Sequence, residues 1–140
     1  FHAKHREGGD RVALDTVRAL HAADITFLPG SDSPNGGTIA GGTMHRDLEA
    51  LVEAGFTPAE ALKAATADAA AAFKLADRGR IAEGLQADLL LVEGAPDRNI
   101  RDTRNIVAVI KAGELHRNIS GCPQPSVRVS SAHEQKCEDY

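Results

Sequence analysis

Asp32 follows a short apolar run and a glycine, within ITFLPGSDSPNGGTIAGG at residues 25–42. A carboxylate just past the C-terminal end of a buried strand sits where α/β barrels hold their chemistry. There it can ligate a metal and take a proton from metal-bound water. The same side chain can do less, bonding the backbone of Pro34-Asn35 and merely capping the loop. On the residues alone these two readings weigh about the same. His45 opens the segment after the loop. Close in sequence to Asp32 and near a helix start, it could line the same mouth and touch a substrate. A polar residue facing solvent in a first helical turn is the plainer alternative. The glycines suggest a phosphate cradle. Gly37 to Gly42 has P-loop spacing, but Thr43 and Met44 follow with no lysine, and no GxGxxG occurs.

Other chemistry-bearing residues read as structural. His2, His5 and His21 form no HxH or HExxH pattern, and His116 and His133 lie in a β unit and a tail. Ser31 and Ser33 lack a GxSxG context. Asp88 precedes LLLV and reads as a strand-start carboxylate fixing a turn with Arg80 or with backbone amides. Cys122 and Cys137 form no CxxC pair, so zinc-knuckle and thioredoxin readings are weak, and whether they pair stays open. Asn118-Ile119-Ser120 matches a glycosylation acceptor, a triplet that chance often produces. The compartment is left open, with the cytoplasm favoured.

The elements that would position Asp32 follow from pattern. Residues 10–23, DRVALDTVRALHAA, put Val12, Thr16, Val17, Leu20 and Ala23 on one helical face. Residues 25–29 form a continuous apolar run, the mark of a strand covered on both faces. Met44, Leu48, Leu51 and Val52 step at helix spacing over 44–54, with Gly55 as the stop. Thr57-Pro58-Ala59-Glu60 is a capping box with proline at the first helical position. The helix it starts carries Leu62, Ala65, Thr66, Ala69 and Phe73 on one face, can break near Thr66-Ala67-Asp68, and uses its alanine run 69–72 for close packing. DLLLV at 88–92 and IVAVI at 106–110 read as strands, with Lys111-Ala112-Gly113-Glu114 a tight turn into Leu115. The tail from 118 reads as irregular, with a short edge strand possible at Val127 and Val129.

The bulk numbers set limits. The chain has 140 residues, net charge −4, 42% apolar and 4% aromatic residues, and no tryptophan. An acidic balance argues against a nucleic-acid surface. No apolar run reaches the roughly 18 residues of a membrane span. A doubly covered strand needs parallel neighbours joined by long crossovers. None is evident, and the chain opens FHAKHREGGD without methionine, so the expectation is a piece of something longer.

The order of these features resembles the C-terminal end of the metal-dependent amidohydrolase superfamily, in the branch of imidazolonepropionase-like enzymes and prolidase-like dipeptidases. The matching stretches are LPGSDSP at 28–34, HRDLEALVEAGFTPAEALKAAT at 45–66 with Ala67-Asp68-Ala69-Ala70 after it, GRIAEGLQADLLLVEGAP at 79–96, and IVAVIKAGEL at 106–115. Together they cover about residues 10–116. The resemblance implies an α/β fold: the C-terminal part of a (β/α)8 TIM barrel, its last strand and helices in residues 1–74. Residues 75–117 would supply C-terminal strands of a small β-sandwich domain, and 118–140 an irregular tail outside the family pattern. Asp32 then matches the strand-eight aspartate, which touches a divalent metal, most readily zinc, deprotonates the metal-bound water and passes the proton to the leaving nitrogen.

The resemblance also implies that the HxH pair, the bridging residue and the later histidines lie upstream. One aspartate cannot hold a catalytic metal that expects three or more protein ligands. This chain alone is therefore expected neither to bind zinc tightly nor to hydrolyse anything. The partners expected are a small amide or dipeptide substrate and, for the full-length enzyme, a homo-oligomeric state. Nucleic acid and membrane are not expected. The alternative is a stand-alone, non-catalytic binding module derived from the same fold.

Overall fold

The computed structural model describes residues 6–33 and 35–117, with side chains described for 11–33 and 35–116. Residues 118–140, with Cys122 and Cys137, lie outside them, as do His2, His5 and His133.

Helix α1 spans Arg6–Ala22 and α2 spans Gly42–Glu53. The side chains at α1 positions 14, 17 and 21 face the rest of the chain, while Val12 is 68% exposed. That corrects the expected face of Val12, Thr16, Val17, Leu20 and Ala23, of which only Val17 is turned inward. The helix rests on Phe56, whose ring stacks on His21 at 3.7 Å between centroids. Helix α2 ends as expected: Gly55 takes φ +108°, open to a residue without Cβ.

Thr57 caps the next helix from both sides. Its hydroxyl accepts from the Glu60 N–H at 3.2 Å, and its own N–H donates to Glu60 Oε2 at 2.7 Å. Helix α3 (Pro58–Lys63) passes into a π turn, Ala64–Asp68, and then α4, Ala69–Ala72. The expected break at Thr66-Ala67-Asp68 is thus a widening of one continuous helix. Its buried stripe is Ala61, Ala64 and Ala70, while Phe73 is 70% exposed. Of the expected face, Leu62 and Ala65 pack against the core from its edge while Thr66 and Phe73 are exposed, because the closest packing here uses the smallest side chains. Gly79 shows how close it is: a Cβ there would lie 2.4 Å from Ala70 Cβ.

The β unit holds β1 (Leu89–Val92), β2 (Ile106–Lys111) and β3 (Glu114–Arg117), antiparallel in the order β1-β2-β3. Ala112 and Gly113 both have positive φ, the geometry of a two-residue hairpin turn whose twist matches the strands. Asp88 steadies that turn by accepting from the Ala112 N–H at 2.8 Å. Its arginine partner is Arg78 at 3.3 Å rather than the expected Arg80. A 3-10 turn, Ile100–Arg104, sits between β1 and β2. It sends Ile100 into the helical core with Leu48, Leu51, Phe56, Ala61 and Ala64.

Residues 25–30 run without helix or strand pairing. A strand exists only by hydrogen-bonding to neighbours, and none is available among the described residues. The mixed α/β class stands. Neither a closed barrel nor a second sheet is present in these residues.

Candidate functional site

The segment leading to Asp32 is held at its start and at its middle. At its start the Ile25 N–H donates to the Leu20 carbonyl at 3.1 Å, which sets the exit from α1. Midway, Phe27 packs edge-on to Phe56 with centroids 6.0 Å apart. Asp32 itself is exposed and takes φ +48°, a left-handed conformation that Asp tolerates better than most residues with a Cβ. Ser31 and Ser33 flank it with hydroxyls 3.1 Å apart.

Asn35 meets Asp32 twice. Its side-chain amide donates to Asp32 Oδ2 at 2.5 Å, and its backbone N–H donates to the Asp32 carbonyl at 3.2 Å. The Asn35 carbonyl accepts from the Thr38 N–H at 2.9 Å and the Thr38 hydroxyl at 2.8 Å. Further along, the Ile39 N–H donates to Thr43 Oγ1 at 2.7 Å, and the Thr43 N–H returns to the Ile39 carbonyl at 3.0 Å. A chain of bonds therefore ties Asp32 through Asn35 and Thr38 to the start of α2. The capping alternative for Asp32 takes the form of a side-chain bond from Asn35 rather than bonds from backbone amides.

His45 has a partner of its own. Its Nδ1 lies 3.0 Å from Thr103 Oγ1, across 58 residues of sequence. Thr103 is 4% exposed and donates its single hydroxyl proton to the Ile100 carbonyl at 2.8 Å. With that proton used, Nδ1 carries the hydrogen of the His45–Thr103 bond and Nε2 is left as an acceptor. Burial pushes the His45 pKa down, the Arg104 charge adds to this, and Glu49 opposes it. Glu49 accepts from Arg104 Nε at 2.7 Å, and this bond holds its carboxyl below the usual range. The structure thus gathers His45, Glu49, Thr103 and Arg104 at the junction of α2 with the 3-10 turn. It shows no bond between His45 and Asp32.

Asn35 and Thr103 were not foreseen. An Asn three residues after an Asp in a turn was a readable signal, whereas the pairing of Thr103 with His45 depends on the tertiary fold. Nearby, Asp47 Oδ2 is enclosed without a hydrogen-bond partner among the described residues, and burial raises its pKa. A shallow cavity of about 180 Å³ is lined by His21, Phe27, Phe56, Glu60 and Lys63, and a second of about 300 Å³ by Ala67, Ala70, Lys74 and Arg80. Asp32 and His45 line neither. The described residues contain no group of three His, Cys, Asp or Glu side chains able to hold a metal ion. They do not by themselves fit a metal centre.

Residues 10–116 match the model of the amidohydrolase family. The chain belongs to that family. Among curated relatives, this amidohydrolase chain is 34% identical over 89 residues to the adenine deaminase of Halalkalibacterium halodurans. That alignment covers 63% of the chain and 15% of the relative. The adenine deaminase of Geobacillus kaustophilus is 31% identical over 94 residues, covering 67% and 15%. The chain therefore spans about 15% of the length of these relatives. Among solved structures, a Xaa-Pro dipeptidase with methionine bound in its active site aligns with a TM-score of 0.67 and 30% identity, over 75% of this chain and 25% of that one. A second amidohydrolase structure, at 24% identity, shares the fold with a TM-score of 0.64, over 77% and 26%.

Proposed function

We propose that this chain is the C-terminal part of a hydrolase of C–N bonds in small amides, cyclic amides or dipeptides. The observation that carries the reading is Asp32 itself. It stands just past a segment anchored to α1 and Phe56, in a left-handed backbone conformation, with one carboxylate oxygen held by Asn35 and no partner for the other among the described residues. The relatives support the bond type: removing an amino group from a ring carbon and cleaving a peptide bond both break C–N. In this reading residues 25–30 form the last strand of a (β/α)8 barrel, and β1 to β3 belong to a small β-sandwich.

Asp32 would accept a proton from the attacking water on its free oxygen, then hand it to the leaving nitrogen. Without that transfer an amine is a poor leaving group; general acid–base help of this kind contributes roughly 10²–10⁴-fold in rate. His45 enters through Nε2, which its bond to Thr103 leaves free to accept a hydrogen bond from the substrate. A divalent metal, zinc first, belongs to the family expectation. Its ligands would have to come from outside the described residues.

The test has two parts. An in-frame HxH at the end of an apolar strand upstream in the coding sequence supports the enzyme. A start codon just before Phe1 supports the non-catalytic module. The complete polypeptide should then release ammonia or an amine from a panel of amides, cyclic amides, aminopurines and dipeptides. No release from any of them, with the protein folded and metal-loaded, counts against the reading.

A further inference from the structure

We infer that Asn35 is a positioning residue for Asp32, selecting which carboxylate oxygen is free to carry the proton. The inference rests on the reading of Asp32 as the proton-transfer group. A carboxylate has two equivalent oxygens and two free torsions. In an exposed loop both oxygens would be solvated alike, and the base would sample many orientations. Asn35 removes that freedom. Its amide donates to Oδ2, while its backbone N–H holds the Asp32 carbonyl at 3.2 Å, so carboxylate and main chain are gripped from one residue.

Asn35 is in turn not free to drift. Its carbonyl is bonded by both the N–H and the hydroxyl of Thr38, at 2.9 and 2.8 Å. The loop then closes on Thr43, at the first turn of α2. The orientation of Asp32 is therefore referred to a helix packed in the core through Leu48 and Leu51. Pairing a reactive carboxylate with a fixed donor raises the fraction of time that the remaining oxygen faces its target. The donor must be neutral. A carboxylate at position 35 would repel Asp32, and a lysine would form an ion pair competing with the substrate's proton.

The experiment uses the complete polypeptide and an amide that it turns over. Asn35→Ala should lower kcat about 10–100-fold, the usual loss when a group orienting a reactive residue is removed, with KM within about twofold. Asn35→Ser keeps a donor at that site and should recover part of the loss. Thr38→Ala removes one of the two bonds that hold the Asn35 carbonyl while leaving the Asn35 amide on Asp32, and should lower kcat clearly less than Asn35→Ala does. Unchanged kcat in Asn35→Ala overturns the inference. So does an equal loss in Thr38→Ala, which would mean that loop integrity alone matters. Should Asn35→Ala fail to fold, the folded pair Asn35→Ser and Asn35→Asp decides: the aspartate variant must be much slower, and equal rates overturn the inference. Asp32→Asn separates the two claims. If Asp32→Asn keeps full kcat, the role of Asp32 falls and this inference falls with it. An inactive Asp32→Asn beside a normal Asn35→Ala removes the role of Asn35 only.

Discussion

Asp32, the base in the proposed reading, has one carboxylate oxygen held by the Asn35 amide. The position of Asp32 was readable from an apolar run ending at a glycine. Its left-handed φ was not, because it arises from how the loop closes on α2; its partner Asn35, three residues on in the turn, left a local signal that went unread. At the junction, His45 yields a prediction about pH. Burial lowers its pKa in the folded chain, so the unfolded chain, titrating near 6.5, binds the proton more readily. Stability should be level above that pH and fall as pH drops below it. Urea unfolding at pH 7.5 and at pH 5 should show the loss, and His45→Gln should remove this part of it. An identical pH slope in that variant contradicts the assignment. The bond of His45 to Thr103 spans 58 residues, and no local pattern announces it.

Helix starts and stops were the most legible elements, since each is written in a few adjacent residues. The capping box at Thr57 formed as read, and Thr57→Ala should cost about 1 kcal/mol by chemical denaturation. Buried faces were less legible. The third helix packs through Ala61, Ala64 and Ala70, and its large Phe73 is left outside. Packing of that kind depends on a close backbone approach from Gly79, which no periodicity reports. Gly79 has φ +90°, and an added Cβ would also fall 2.9 Å from the Thr66 carbonyl. Gly79→Ala should therefore destabilise by about 2–4 kcal/mol, from overpacking together with backbone strain. Gly55 has φ +108° but open space around it, so Gly55→Ala meets strain alone and should cost about 1 kcal/mol. Equal losses at the two glycines would refute the packing account of the alanine face.

Across the whole molecule, the segment 25–30 and the β sheet are elements without their usual covers. The first has the composition of a doubly covered strand yet pairs with nothing among the described residues. The sheet leaves Leu91 53% and Leu115 45% exposed. Both facts agree with the proposal that further strands belong beside them, and with relatives of which this chain spans about 15%. Architecture at that scale was legible only through the order of several short stretches, because a barrel is a property of many strands. The described residues offer no group of ligands for an ion. On the expectation that the other metal ligands lie upstream, the 140-residue chain by itself should hold less than stoichiometric zinc after dialysis, read by elemental analysis, and one tightly held ion per chain would contradict that. The most direct measurement is kcat of the complete polypeptide with Asp32→Asn, at unchanged metal content, on an amide that the parent hydrolyses. The expected result is a loss of at least about 10²-fold, the scale of general acid–base catalysis. Retention of full kcat would contradict the role assigned to Asp32.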